Sequence, residues 1–207
     1  MKIDLHNHTS PASSCSIITP EDLLAEAKAA GLDGIGITDH DSFAGLEAVR
    51  RIGRRLGLAV FVGIECSTDG GHVLAFGVRP PYLAEFGPQP LDEVIDWIHS
   101  QGGVAVIAHP FRNDGVSPGA GLARMDGMFD AIEVVNAHNR IGENEPAIAI
   151  QQRLGLPAVA GSDAHGPDTV GKAYTIFDEP VDDETALADA IRRGACRIAY
   201  EADVVAL

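Results

Sequence analysis

The sequence predicts an α/β fold in which about seven short strands close into an irregular barrel. Short apolar runs, β-branched or flanked by glycine, alternate with segments of helical periodicity, which is typical of βαβ units and a buried parallel sheet. No linker, low-complexity tract or charge block interrupts the 207 residues, a length that suits one large domain. We therefore expect a single barrel domain over 1–207, in which 182–207 form a C-terminal helix and tail.

The strand candidates are the short apolar runs that glycines and turn residues separate. They lie at 2–5, 34–38, 59–64, 72–78, 104–108, 131–135, 158–161 and 173–177.

The segments between the strand candidates carry helix start and stop signals. Thr19 followed by Pro20 predicts the N-terminus of a first helix, which Gly31 ends. Ser42 is a candidate N-cap for a second helix, whose apolar face runs over 46–56. The other helices are predicted over 91–98, 148–154 and 182–193, each before a glycine.

Composition narrows the class of function. Hydrophobic residues at 45% and charged residues at 22% indicate a globular chain and exclude wholesale disorder. With 15 basic and 30 acidic residues the net charge is −15, which argues against a binder of duplex DNA. No apolar run approaches the ~20 residues of a membrane span, and the polar start does not resemble a signal peptide. Three widely spaced cysteines argue against a disulfide framework and favour the reducing cytoplasm.

Side chains of the metal-ligand type follow five of the predicted strands. They are His6 and His8, His40, Glu65, His109, and Asp163 with His165. Because chemistry in α/β barrels sits at the C-terminal ends of the strands, we expect all of them on one rim. Each has an ordinary alternative when taken alone, such as a turn histidine or a helix-entry residue, but satisfied core histidines have no reason to gather at strand ends.

Two spacings support a metal centre. Side chains alternate between faces along a strand, so His6 and His8 point the same way, and so do Asp163 and His165. A carboxylate such as Glu65 at the end of an apolar strand is costly unless cations surround it. Two or three divalent ions held by such a set are suited to hydrolysis of a phosphate ester, and mixed imidazole and carboxylate ligands favour Zn, Mn or Fe over Mg or Ca.

Five motifs in order, DLHNHTS, TDHD, VGIE, AHPF and GSDAH, resemble those of the PHP (polymerase and histidinol phosphatase) domain superfamily. The resemblance covers essentially the whole chain and implies a distorted (β/α)7 TIM-like barrel with two or three metals and phosphoesterase activity. It implies that His6, His8 and Asp163 bind a first metal and that Glu65 bridges two. His109 then holds the second metal, and His40 with His165 the third.

The chain departs from this pattern in two places. Relatives often carry an Asp or His soon after the HxH pair, but here Cys15 is the only strong ligand type nearby. It is either a metal ligand or an ordinary loop thiol. Relatives that resemble nucleotide phosphatases also carry a sizeable lid, for which only the short segments 79–90 and 112–128 are available.

Several other residues are candidates for substrate contacts or for hydrogen bonds to the ligands. Arg112 and Arg140 fall just past strand ends, where an arginine can fork onto a phosphate. His72 begins an apolar run and is either a ligand, a phosphate donor or simply the start of a strand. Asp4 and Asp39 are expected to hydrogen-bond the ligand imidazoles.

We therefore expect a cytoplasmic metal-dependent phosphoesterase that hydrolyses a small phosphorylated metabolite or nucleotide through a metal-activated hydroxide. Glu65, Asp163 and His165 are the expected catalytic residues, with His165 or a metal-bound water protonating the leaving group. Two alternatives remain open: an exonuclease acting on very short oligonucleotides, and a non-catalytic metal-binding regulatory module. The substrate, the metal and the oligomeric state are not predicted.

Overall fold

The computed structural model describes residues 1–82, 87–125 and 127–205. Nine strands form one sheet in the order β7-β6-β5-β4-β3-β2-β1-β8-β9. Parts of the predicted loops 79–90 and 112–128, and the last two residues of the predicted tail, lie outside the described residues. The described helices hold no segment long and apolar enough to cross a membrane.

The strands are β1 (Lys2–Asp4), β2 (Gly34–Ile37), β3 (Ala59–Thr68), β4 (Gly71–Phe76), β5 (Val104–Ile107), β6 (Ala131–Asn136), β7 (Ala158–Gly161), β8 (Ala173–Phe177) and β9 (Cys196–Tyr200). The helices are α1 (Pro20–Ala29), α2 (Leu46–Leu56), α3 (Leu91–Ser100), α4 (Glu145–Leu154) and α5 (Glu184–Arg192), with short 3₁₀ turns at Gly119–Arg124 and Pro167–Thr169.

The sheet curls until the end of β7 returns to the end of β1, which confirms the predicted barrel. Asn7 and Ala164 form a parallel bridge. The backbone N–H of Asp163 donates to the carbonyl of His6 at 2.7 Å. Gly161 permits this closure, because a Cβ there would lie 2.5 Å from the Cβ of His6. The closure places the segments around His6 and Asp163 side by side.

Strand β4 runs antiparallel to both neighbours, so the prediction of a parallel sheet is wrong at this position. The cause is a tight hairpin: β3 and β4 pair up to Thr68 and Gly71, and only Asp69 and Gly70 connect them. Asp-Gly is a common two-residue hairpin turn. Because β4 is reversed, its first residues lie at the rim where the neighbouring strands end, and His72 lies there with them.

The C-terminal part adds strands that extend the sheet beyond β1. Strand β8 pairs antiparallel with β1, and β9 pairs antiparallel with β8. The sequence did not predict β9, because the half-exposed run of Cys196–Tyr200 has a weak apolar signal. Helix α2 is capped by Gly45 rather than by Ser42, whose hydroxyl accepts from the N–H of Ala44.

The helices pack on the sheet and hold the strand ends in place. Thr19 caps α1 as predicted, since its side chain accepts from the N–H of Asp22. Helices α1 and α2 cover β2, with Leu23, Leu24 and Ile35 in one buried cluster. Helix α5 packs against β3, β4 and β5. Strands β2, β5 and β6 are therefore buried on both faces, and polar groups collect at the rim.

Candidate metal centre

The structure brings all seven predicted metal ligands to one end of the barrel and adds His72 to them. Four groups of three residues offer ligand atoms that all lie within 4.8 Å of one another. They are His6, His8 and Asp163; His6, Glu65 and His109; His8, His40 and His165; and His40, Glu65 and His72. The first group contains the three residues that the resemblance implied for one metal, the second adds His6 to Glu65 and His109, and the third adds His8 to His40 and His165. The fourth includes the histidine at the start of the reversed strand β4.

Glu65 is the centre of the cluster, because five imidazole rings face its carboxylate. Oε1 lies 3.1 Å from Nδ1 of His72 and 3.1 Å from Nε2 of His109. Oε2 lies 3.4 Å from Nε2 of His6, 3.2 Å from Nε2 of His8 and 3.0 Å from Nδ1 of His40. The two oxygens thus face different groups of imidazoles, as a carboxylate that bridges two cations must.

Asp163 forms the second anionic element of the cluster. Its Oδ1 lies 3.3 Å from Nε2 of His6 and 3.0 Å from Nε2 of His8, and its Oδ2 accepts from Arg112 at 2.6 Å. The backbone of Asp163 has a φ of 52°, in the left-handed region that non-glycine residues rarely adopt. Strained backbone conformations of this kind are concentrated at functional sites, where contacts with the surrounding structure keep the residue in that conformation.

Four buried polar atoms of the described cluster have no hydrogen-bond partner: Nε2 of His6, Nε2 of His8, Oε2 of Glu65 and Nδ1 of His72. Buried polar atoms are rarely left without a partner. These atoms lie in the ligand groups described above, and divalent cations bound there would satisfy them. The donor set therefore fits divalent ions, and its mixture of imidazole nitrogen and carboxylate oxygen suits Zn, Mn or Fe.

Outer hydrogen bonds orient three of the histidines. Nδ1 of His6 bonds Oε1 of Glu133 at 2.9 Å, and Nδ1 of His8 lies 3.2 Å from the hydroxyl of Ser13. Nδ1 of His109 lies 3.5 Å from the hydroxyl of Ser117. In each ring Nε2 is left to face the cluster, the arrangement common to metal-binding histidines.

The sequence analysis missed these outer partners. For Glu133 a signal existed, since an acidic residue inside the apolar strand 131–135 is costly without partners. The expectation for Asp39 was wrong in its detail, because Asp39 accepts from the hydroxyl of Ser13 and reaches His8 only through it. Asp4 accepts from backbone N–H groups, among them that of Ser162, and not from an imidazole.

The charges of the cluster depend on one another. Burial disfavours a charged His6, but Asp163, Glu133 and Glu65 outweigh burial and raise its pKa well above the ordinary value. Burial alone would raise the pKa of Glu65, but the imidazoles around it, His6 first, lower that pKa well below its ordinary value. Without a cation, protons on the imidazoles therefore balance the buried carboxylates. A bound cation takes over that role.

His165 has a different character from His6. Burial and the neighbouring His8 lower its pKa to about 4. The ring is therefore neutral near pH 7, the form that binds a metal. A neutral imidazole with so low a pKa is a poor proton donor to a leaving group.

The remaining candidates lie at the edge of the cluster. Arg112 donates through Nη2 to Asp163 and Asn136 and through Nε to Asn139, so its guanidinium contacts a residue of the ligand cluster directly. Arg140 is exposed and lines, with Arg112, a pocket of about 360 Å³ beside the cluster. Cys15 is exposed and belongs to none of the four groups of ligand atoms.

Comparisons with known proteins agree with this geometry. The PHP domain model matches residues 4–109, and a PHP-associated model matches residues 142–196. An uncharacterized protein of Methanocaldococcus jannaschii is 30% identical over 153 residues, which cover 69% of this chain and 85% of that protein. The 5′-3′ exoribonuclease Rnm of Escherichia coli is 39% identical over an alignment that covers 79% of this chain and 85% of that enzyme.

Among solved structures, a two-domain protein of Bacteroides vulgatus that contains a PHP-like metal-dependent phosphoesterase superposes with a TM-score of 0.74 at 18% identity. The match covers 97% of this chain and 65% of that one, and it shows the barrel fold. Taken with the matched motifs and the cluster of buried ligands, these likenesses show that the chain belongs to the PHP domain family of metal-dependent phosphoesterases.

Proposed function

We propose that the protein is a phosphomonoesterase that hydrolyses a small phosphorylated metabolite or nucleotide with two or three divalent transition-metal ions. The observation that carries the proposal is the Glu65 carboxylate, buried between five imidazoles with its two oxygens facing different groups of them. A single metal ion needs no bridging carboxylate. A two-metal site for phosphate hydrolysis does need one, because its two neighbouring cations together stabilise the attacking and the leaving oxygen.

The residues of the cluster divide into sets that would hold the ions. His6, His8 and Asp163 form one set. In a second, His72 and His109 both face Oε1 of Glu65. His40 and His165 with His8 form a third. When bound, the ions neutralise phosphoryl oxygens and lower the pKa of a water molecule. Because His165 is a neutral ring, we assign it to binding rather than to protonation of the leaving group.

Arg112 is the best placed residue to bind the substrate phosphate. Its Nη2 and Nε are used by Asp163, Asn136 and Asn139, and its Nη1 makes no hydrogen bond to the described residues. The side chain is partly exposed and lines the pocket beside the cluster. A guanidinium held in this way can donate to a phosphate oxygen without a large rearrangement.

The overall charge and the scarcity of exposed aromatic side chains favour a small substrate. Strands of nucleic acid are usually held by basic grooves and by aromatic rings on which bases stack. The net charge here is −15, and among the described residues Tyr200 is the only aromatic residue among the exposed large hydrophobic side chains. The similarity to an exoribonuclease supports one alternative function, hydrolysis at the end of a very short oligonucleotide.

A substrate screen tests the proposal. Purified protein is stripped of metal, reloaded with Mn²⁺ or Zn²⁺, and assayed with p-nitrophenyl phosphate, bis(p-nitrophenyl) phosphate, nucleoside monophosphates, sugar phosphates and RNA oligonucleotides of two to five residues. We expect hydrolysis of the monoesters and retention of at least two ions per chain by elemental analysis.

The control for contaminating phosphatases is Glu65→Gln, prepared and loaded in the same way. Preference for the diester or the oligonucleotides by more than about tenfold in kcat/KM would replace the proposed reaction with the nuclease alternative. A chain that retains one ion or none at saturating metal would contradict the multinuclear site.

A further inference from the structure

Asn136, at the end of β6, is a buried residue whose side chain uses its whole hydrogen-bonding capacity. Its Nδ2 donates to Oε2 of Glu133 at 2.9 Å and to Oδ2 of Asp163 at 3.3 Å. Its Oδ1 accepts from Nη2 of Arg112 at 3.0 Å and from the backbone N–H of His138 at 2.9 Å. An asparagine amide has two donor hydrogens and two acceptor positions, so all four are engaged.

The two donor bonds connect groups that contact different ligands of the metal centre. Glu133 bonds Nδ1 of His6 through Oε1 and the backbone N–H of His109 through Oε2. Asp163 faces His6 and His8 from the other side. Asn136 is thus the direct link between the carboxylate that orients His6 and the carboxylate that belongs to the ligand cluster.

A β-bulge makes this link possible. In a regular strand, residues three apart point to opposite faces, so Glu133 and Asn136 could not share one. In β6 the pairing with β7 shifts by one residue between Glu133 and Val135, so that Glu133 pairs with Val159 and Asn136 with Gly161. Val159 and Gly161 lie two apart on β7, and the bulge therefore returns Asn136 to the face of Glu133.

The partners also determine which way the amide points. Turning it over would place Oδ1 against two carboxylates and Nδ2 against the guanidinium of Arg112 and the N–H of His138. All four contacts would then be repulsive. Aspartate at this position would likewise bring a third carboxylate against Glu133 and Asp163, so asparagine is the residue that this environment requires.

We propose that Asn136 is a positioning residue of the metal centre, which holds Glu133 and Asp163 in one arrangement and so fixes His6 and the Asp163 ligand relative to each other. The inference rests on the proposed function, since it concerns the same site. It is specific to the amide of Asn136, because no other described residue hydrogen-bonds both carboxylates through one side-chain atom.

Metal affinity of Asn136→Ala tests the proposal, with Asn139→Ala as the matched control. Asn139 lies in the turn that follows β6 and bonds Arg112 and Asn144, but neither Glu133 nor Asp163. Loss of an outer partner typically weakens metal binding by about 10–100-fold. We expect a loss of that size in the Kd for Mn²⁺ of Asn136→Ala, and a change below about threefold in Asn139→Ala.

A second readout uses the metal-free protein and no activity. In ¹⁵N-histidine NMR, the Nδ1–H of His6 that bonds Glu133 should be visible in wild type and in Asn139→Ala, and should shift or exchange faster in Asn136→Ala. If Asn136→Ala does not fold, Asn136→Ser, which keeps one hydroxyl, is measured in the same two ways.

Unchanged Mn²⁺ affinity with an unchanged His6 signal in the Asn136 variant would overturn the proposal, as would equal losses in both asparagine variants. If wild type itself binds no metal, the proposed function fails, whereas the His6 signal of the metal-free protein still decides the role of Asn136.

Discussion

At the scale of single residues, each charged group of the metal centre would be costly to bury alone. The contacts between the carboxylates and the imidazoles offset that cost. Glu65 and Asp163 are almost fully buried, and imidazole rings surround both. Removing one partner from such a set leaves an uncompensated buried charge, which is far more damaging than losing an exposed ion pair. Substitutions within the cluster should therefore have large effects, and those a few ångström outside it small ones.

Glu65→Gln should remove at least one metal ion per chain and lower kcat by more than tenfold, or about 1.4 kcal/mol in the barrier. The amide keeps the shape but loses the charge that faces five imidazoles. Elemental analysis and steady-state kinetics measure both effects. Glu143→Gln is the control, since Glu143 lines the pocket but belongs to none of the four groups of ligand atoms. Full metal content with more than a tenth of the wild-type rate would show that Glu65 is not a bridge.

Arg112→Ala should lower kcat/KM by about 10–100-fold for every phosphate substrate, because hydrogen bonds to charged groups contribute about 1.5–3 kcal/mol. Arg112→Lys should recover part of the loss, since it restores the charge without the planar fork. Arg140→Ala should change kcat/KM by less than about threefold, because Arg140 is exposed and its hydrogen bond to Glu143 uses the backbone N–H. Equal losses in the two alanine variants would place the phosphate farther out in the pocket than we propose.

At the scale of elements, the sequence predicted most helices and strands because their signals are local. Thr19 and Gly31 mark the ends of α1 whatever surrounds them. The direction of β4 depends instead on a two-residue turn, and no hairpin was predicted at the Asp69-Gly70 pair that makes it. The bulge in β6 has no local signal of this kind, because it arises from pairing with β7, and so the common face of Glu133 and Asn136 could not be predicted.

Closure between β1 and β7 should be sensitive to Gly161. In Gly161→Ala the new Cβ would lie 2.5 Å from the Cβ of His6 and 2.8 Å from its backbone nitrogen, so the strands must separate. We expect a loss of about 1–3 kcal/mol in the free energy of unfolding, the usual cost of overpacking. Urea denaturation of the metal-free protein measures it.

Gly166→Ala is the control for Gly161→Ala. A Cβ at Gly166 would meet only Ile17, at an ordinary 3.7 Å, so the change in stability should stay within about 0.5 kcal/mol. A Gly161→Ala variant as stable as this control would mean that the closure can relax at little cost.

At the scale of the whole molecule, the barrel brings together ligands that are distant in sequence but adjacent in space. Motif order identified these ligands, because each motif lies at or near the end of a predicted strand and all strands except β4 and β8 run toward the same rim. The substrate could not be predicted in the same way, since the pocket beside the cluster is shaped by loops such as 137–144, which are held by contacts with residues distant in sequence such as Arg112 and Asn113.

Removing the metal should lower the thermal stability of the whole barrel. Binding to the folded state alone at a hundred times Kd stabilises it by about 2.7 kcal/mol, which for a domain of this size raises Tm by roughly 5–10 °C. Differential scanning calorimetry of protein treated with chelator, before and after Mn²⁺ is restored, measures the change. Glu65→Gln should show a smaller shift, and the absence of any shift in wild type would argue against a metal centre within the fold.

The contact between Asp4 and Ser162 joins residues 158 positions apart, and it lies beside the place where His6 meets Asp163. During synthesis on the ribosome, the first histidines emerge long before their aspartate partner. A nascent chain that ends before residue 163 has two of the four groups of ligand atoms and lacks the two that need Asp163 or His165. Metal uptake by the complete cluster therefore has to follow synthesis of at least the first 165 residues.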